Sequence, residues 1–308
     1  MEIRLSLCCF MTQQIQIISA PSILGLKPSG VEKLPESLIN AGLPEKINSV
    51  REIIKVPTLN DAYDSRRDNE TNCLNPTAIR DFSLSLMITV TEQMYSGNFP
   101  LVLGGDCSIL IGIMPALKSK GNFGLLFLDA HADFYLPDQS TTGELADMDL
   151  SIVTGRGPSI LTDINNLRPY IIDRNVIHIG QRDGEETKQY GSQEIKDSDI
   201  SLFDLAAIRS MGLQKITNDV TAQMERLPLD GFWLHFDTDV INDDENPAVD
   251  YRLPGGLSFQ EVTQLLSKLI LTGKIIGMSV TIFNPVLDTD GTITVKLSNC
   301  LASAFKIV

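Results

Sequence analysis

Two stretches of the chain place metal-binding side chains at alternate positions directly after an apolar run. In LDAHADF, Asp129, His131 and Asp133 follow the run GLLFL. Residues two apart in an extended backbone share a face, so three hard or borderline donors would point the same way. In LHFDTDVINDDENP, Asp237 and Asp239 end another apolar run, with Asp243 and Asp244 just beyond. Two carboxylates leaving a buried strand on one face repel each other unless a cation lies between them. Either stretch by itself also reads as an exposed polar turn or a solvated acidic loop. Together, each at a strand end, they supply enough donors for a two-metal site bridged by carboxylates.

A third strand end, LVLGGDCSIL, brings Cys107. Its strand is expected to lie beside the one carrying Asp129, where the sulfur would complete the coordination of two ions. Two other readings of Cys107 stay open. One is an inert buried thiol. The other is a nucleophile, which would need a base and an orienting partner. Of the three histidines, His131 is better used on metal, while His178 and His235 fall inside strand runs and read as core residues. Asp106 reads as hydrogen-bonding support for its neighbours.

The elements that must position these residues are legible as alternating short apolar runs and helix-length amphipathic stretches. Strands are expected at 15–19, 53–56, 100–104, 124–129, 176–180, 200–203, 232–237 and 275–280. Between Pro76 and Tyr95, the residues Ile79, Phe82, Leu86 and Val90 form one helical stripe, with Thr77 or Asn75 as its cap. Further helices are expected over 108–120, 213–227, 258–272 and 292–305. Near-continuous apolar strands bracketed by helices predict a mainly parallel sheet covered on both faces, a three-layer α/β/α sandwich. Segments 57–75 and 134–170 read as long loops, a feature often tied to function. Residues 1–11 read as a disordered extension and 12–308 as a single catalytic domain.

With 43% hydrophobic residues and 21% charged ones, the 308-residue chain can bury a large core. Its formal charge of −14 repels phosphate backbones and anionic lipid, arguing against nucleic acid or membrane as partner. The cysteines (Cys8, Cys9, Cys73, Cys107, Cys300) form no CxxC pair, which suits a reducing compartment. With neither a signal peptide nor a transmembrane span legible, a cytoplasmic location is expected.

The motifs GGDCS, DAHAD and DTDV, in this order, resemble the three metal motifs of the ureohydrolase superfamily, which includes arginases and agmatinases. The similarity extends from about residue 12 to the end, through IGQRDGEE, PGGLSF and FNP. The resemblance implies a dinuclear manganese centre and a metal-bridging hydroxide that attacks a guanidinium carbon. It places Cys107, Asp129, Asp133 and Asp237 on one ion and Asp129, His131, Asp237 and Asp239 on the other. Asp133 would pass a proton to the leaving nitrogen. It also suggests substrate contacts at Tyr135, Thr142, Asp183 and Glu185, and a homo-oligomer, trimeric or hexameric.

Four departures from the family pattern bear on metal and substrate. Cys107 stands where the first motif usually has histidine, and its softer thiolate makes zinc or iron more plausible beside manganese. Ala146 replaces a histidine thought to shuttle protons, and Ile282 replaces the guanidinium-binding glutamate. Tyr135 replaces the asparagine that reads an amino-acid carboxylate. Ordinary L-arginine is therefore a poor fit. A cysteine-bearing branch of the family cleaves Nω-hydroxyarginine to hydroxyurea and ornithine, and the lower basicity of that substrate lessens the need for the missing glutamate. The rival reading is a catalytically silent metal-binding member with a structural or interaction role.

Overall fold

The computed structural model describes residues 13–50, 52–57 and 62–306. The extension expected at 1–11 lies outside the described residues. All eight apolar runs form strands: β1 (Ile15–Ala20), β2 (Ile54–Lys55), β3 (Phe99–Gly104), β4 (Gly124–Leu128), β5 (Val176–Ile179), β6 (Ser201–Phe203), β7 (Phe232–Asp237) and β8 (Ile275–Thr281). They pair in one sheet of order β2-β1-β3-β8-β7-β4-β5-β6, every pair parallel.

Helices cover both faces, because the inner strands such as β3 and β4 are apolar and buried on both sides. One face packs Leu101, Leu126, Leu234 and Met278 against helices Leu213–Arg226, Phe259–Leu271 and Thr292–Phe305. The other packs Val102, Phe127 and Trp233 against helices Pro76–Tyr95 and Leu110–Lys118. The helix Phe259–Leu271 starts at a reciprocal cap in which Ser258 and Glu261 satisfy each other's amides.

Three local expectations change. Asn75 precedes the helix Pro76–Tyr95 in a left-handed conformation and makes no side-chain cap bond. Its amide instead accepts from Asp64 N at 2.7 Å and donates to Leu24 O at 3.0 Å, tying two loops together. The segment 134–170 contains short helices at Asp149–Val153 and Ser159–Thr162. Runs of one turn are too brief to show a period of 3.6 residues.

The third change is in strand order. Strand β3 does not neighbour β4; β8 and β7 lie between them. The chain leaves β3, crosses over to build β4, β5 and β6 outward, then returns to fill the gap. The order reverses at this point, where open parallel sheets form their binding crevice beyond the strand carboxyl ends.

Candidate metal centre

At the end of β3 the chain passes through Gly104 and Gly105 into a short 3₁₀ turn, Cys107–Ile109. Asp106 holds this turn: its Oδ1 accepts from Ser108 N at 2.9 Å and its Oδ2 from Gly25 N at 3.2 Å. Cys107 is thereby buried with Sγ 2.8 Å from Asp237 Oδ2 and 3.1 Å from Thr281 Oγ1. The turn requires glycine, since a Cβ at position 105 would sit 1.8 Å from Ser22 O. Gly105→Ala is therefore expected to cost at least about 3 kcal/mol, at the upper end of overpacking penalties. Chemical denaturation would check this, and a loss below 1 kcal/mol would mean that the β1 and β3 loops give way freely.

Strand β4 ends at Leu128, so Asp129, His131 and Asp133 do not share a face by strand alternation. They reach the site from a bend in which Asp133 takes φ 45°. The two acidic motifs brace each other there. Asp129 Oδ1 accepts from His131 N at 2.6 Å, and Asp239 Oδ1 accepts from Ala130 N at 3.1 Å. Asp237 Oδ1 accepts from Asp239 N at 2.8 Å, and His131 Nδ1 lies 2.9 Å from Asp239 Oδ2. Arg182 clamps the second motif by donating to the carbonyls of Asp239 at 2.8 Å and Leu253 at 3.2 Å.

Donor atoms of Cys107, Asp129 and Asp237 lie within 4.8 Å of one another, as do those of Asp129, His131 and Asp239. Asp129 belongs to both sets, and its buried Oδ2 has no hydrogen-bond partner among the described residues. Asp133 lies at the base of the same cleft but in neither set. Asp243, further along, pairs with Arg252 instead.

The electrostatics show how poorly this cluster tolerates its own charge. Burial, then the Asp239 carboxylate, pushes Asp129 up to about 7. Asp237 and Asp133 are driven well above the usual carboxyl range, first by burial and then by neighbouring carboxylates. Burial also pushes the Cys107 thiol up, with Asp237 adding to it. Only Asp239 is lowered: burial opposes its charge, but the adjacent His131 outweighs that. For His131, burial works against the proton and Asp239 more than restores it. A buried group of carboxylates, thiol and imidazole with an orphaned oxygen is a donor set that divalent cations fit.

A cleft of about 420 Å³ opens above this cluster, with His131, Asp133, Asp237 and Asp239 at its base. Tyr135, Thr142 and Asp183 line it. Asp183 also supports the first acidic motif, its Oδ2 accepting from Ala132 N at 2.9 Å. Glu186, not Glu185, faces the cleft. Both sit on the helix Gly184–Gln189, where consecutive side chains point about 100° apart, and Glu185 turns to the outer surface. Ala146 and Ile282 form an apolar wall. Ile282 has φ 71°, a strained conformation for a β-branched residue, stabilised by its amide bond to Gly105 O at 2.8 Å. At the mouth, Tyr251 donates to Glu144 Oε2 at 2.7 Å.

Four residues at or near the site were not singled out as such from sequence: Asp149, His235, Arg182 and Glu186. His235 had a local signal, since it lies two residues before Asp237 on one strand and so shares its face. His178 serves the first motif as well, with Nε2 2.8 Å from His131 O.

A model of the arginase family matches residues 13–306. The chain belongs to the arginase family. It is 31% identical to an arginase of Staphylococcus aureus over 286 residues, covering 91% of this chain and 92% of that one. The crystal structure of an arginase from Bacillus cereus superposes with a TM-score of 0.83 at 27% identity, covering 96% of this chain and 99% of that one. The fold extends to a formimidoylglutamase from Bacillus subtilis, with a TM-score of 0.70 at 18% identity, covering 95% and 86% of the two chains. As an arginase-family member, the chain is a hydrolase acting on non-peptide C–N bonds of guanidino compounds, in a family that works with two metal ions. Among the described residues, no helix is long and apolar enough to cross a membrane.

Proposed function

We propose that the chain binds two divalent ions, manganese foremost, with zinc or iron admitted by Cys107, and hydrolyses a guanidine other than L-arginine. Nω-hydroxyarginine is the leading substrate. Cys107, Asp129, Asp133 and Asp237 would hold one ion, and Asp129, His131, Asp237 and Asp239 the other. The observation that carries this reading is the position of Asp129, buried and shared between two donor sets whose members His131, Asp237 and Asp239 line the cleft.

Bound there, the ions supply the positive charge that lets a water lose a proton near neutral pH. Asp133, buried at the cleft base, accepts the remaining proton of the attacking water and delivers it to the nitrogen that leaves. Tyr135, Thr142 and Asp183 line the substrate's path, with Glu186 at the acidic end suited to an ammonium group. The wall of Ala146 and Ile282 offers no charge to a guanidinium, which favours a less basic group. We further propose a trimeric or hexameric assembly in the cytoplasm, which light scattering and localisation would check.

The deciding experiment is a mass-spectrometric turnover screen of manganese-reconstituted protein against arginine, agmatine, guanidinobutyrate, formiminoglutamate and Nω-hydroxyarginine. Faster turnover of Nω-hydroxyarginine than of arginine supports the reading. Faster turnover of arginine overturns it. Ile282→Glu is expected to raise kcat/KM for arginine at least about tenfold, the value of one charge-assisted hydrogen bond. No gain would mean that position 282 does not reach the guanidine.

A further inference from the structure

A second cluster of donors shares Cys107 but lies away from the cleft, which neither Asp149 nor His235 lines. Donor atoms of Cys107, Asp149 and His235 fall within 4.8 Å of one another, and all three residues are buried. Asp149 opens the short helix Asp149–Val153, and His235 lies mid-strand in β7. Neither belongs to the two donor sets centred on Asp129.

The polar atoms here lack the partners that burial demands. Asp149 is 0% exposed. Apart from the adjoining Leu150 amide, which lies within its electrostatic reach, neither carboxylate oxygen has a hydrogen-bond partner among the described residues. His235 is also 0% exposed, and its Nε2 is unpartnered. Leaving an ionised carboxylate buried and unpaired costs several kcal/mol. The imidazole is nonetheless held firmly. Its Nδ1 lies 2.8 Å from Ser279 Oγ, which also accepts from Trp233 Nε1 at 3.0 Å, and its ring stacks on Phe127 at 5.0 Å between centroids. A serine oxygen with two lone pairs can accept from both ring N–H groups, leaving Nε2 bare. Metal-ligating histidines are oriented in this manner, with one nitrogen anchored and the other free.

We propose that Cys107, Asp149 and His235 form an additional metal position, inward of the carboxylate cluster and suited to a soft four-coordinate ion, zinc above all. Zinc bonds of about 2.0–2.3 Å set tetrahedral donors roughly 3.3–3.8 Å apart, a span this cluster can close to. Sγ of Cys107 belongs to both this cluster and the set with Asp129 and Asp237, and a thiolate has lone pairs for more than one ion. The inner position does not depend on which guanidine the outer site cleaves.

The test is X-ray absorption at the zinc edge on metal-free full-length protein given one equivalent of zinc. The inner position predicts one sulfur and one imidazole on the same zinc. In the outer site, sulfur and imidazole belong to different ions. A shell of sulfur with oxygens only, of imidazole without sulfur, or about half of each per zinc, overturns the proposal. Asp149→Asn and His235→Gln are expected to weaken zinc binding at least tenfold, and His235→Gln to abolish the imidazole scattering. Unchanged affinity and spectrum in both variants overturns it equally. If either variant fails to fold, the parent spectrum still decides. A sulfur-plus-imidazole shell in a protein that hydrolyses nothing would refute the proposed activity while upholding this site.

Discussion

Asp129→Asn is expected to reduce bound manganese from two equivalents to one or none and to lower kcat at least about a thousandfold on the substrate identified by the screen. The amide keeps the shape of the carboxylate and can still accept from His131 N, now at 2.6 Å, so the bend is retained. What is lost is a negative charge common to both donor sets. Weakening two cations removes several kcal/mol of transition-state stabilisation, and a thousandfold corresponds to about 4 kcal/mol. Metal analysis and turnover on the same sample check both parts. Two equivalents of manganese with turnover within tenfold of the parent would remove Asp129 from between the ions.

Metal-free protein is expected to lose thermal stability as pH rises from about 4 to 7, and metal-loaded protein to gain it. Asp129 and Asp147 are each pushed up to about 7, chiefly by burial, and Asp133, Asp149 and Asp237 rise further for the same reason. These acids keep their protons in the folded chain at pH values where the unfolded chain has released them. His178 and His235, lowered by burial to about 4 and about 3, act the other way, but five acids outnumber two imidazoles. The folded state therefore binds more protons across the window, and its stability falls with rising pH. His131 acts in the same direction: its raised value adds stability at low pH that is lost as it deprotonates. The lowered Asp239 adds stability only above the ordinary carboxyl range and loses it in stronger acid. Metal takes the place of the protons, and its affinity grows as the ligands ionise. An ion present at a thousandfold over its Kd contributes about 4 kcal/mol and two ions about 8, and each kcal/mol is worth about 1.5 °C in a chain of 308 residues. At pH 8 the loaded protein should melt at least about 10 °C above the metal-free one. A metal-free Tm that climbs from pH 5 to 8 would contradict the argument.

These expectations rest partly on what can be read along the chain and partly on what cannot. The eight strands were legible because each is a short apolar run between turn residues, and a sheet buried on both faces leaves that local trace. The helix Pro76–Tyr95 was legible to both ends through its stripe of Ile79, Phe82, Leu86 and Val90. The acidic motifs were legible because Asp129, His131, Asp237 and Asp239 lie at strand ends, where parallel sheets collect their chemistry.

Only the tertiary structure decided which strand ends meet. Cys107 reaches Asp237 and Asp129 from across β8 rather than from a strand next to β4, because strand order depends on crossovers that leave no local pattern. Glu186 rather than Glu185 enters the cleft because a single residue on a helix turns the side chain by about 100°. Asp149 and His235 meet Cys107 only when a short helix and two strands, far apart in the chain, pack on one face of the sheet. Residue types and local periodicity thus determined the elements and the metal-binding motifs, while burial and long-range packing selected the partners of each donor.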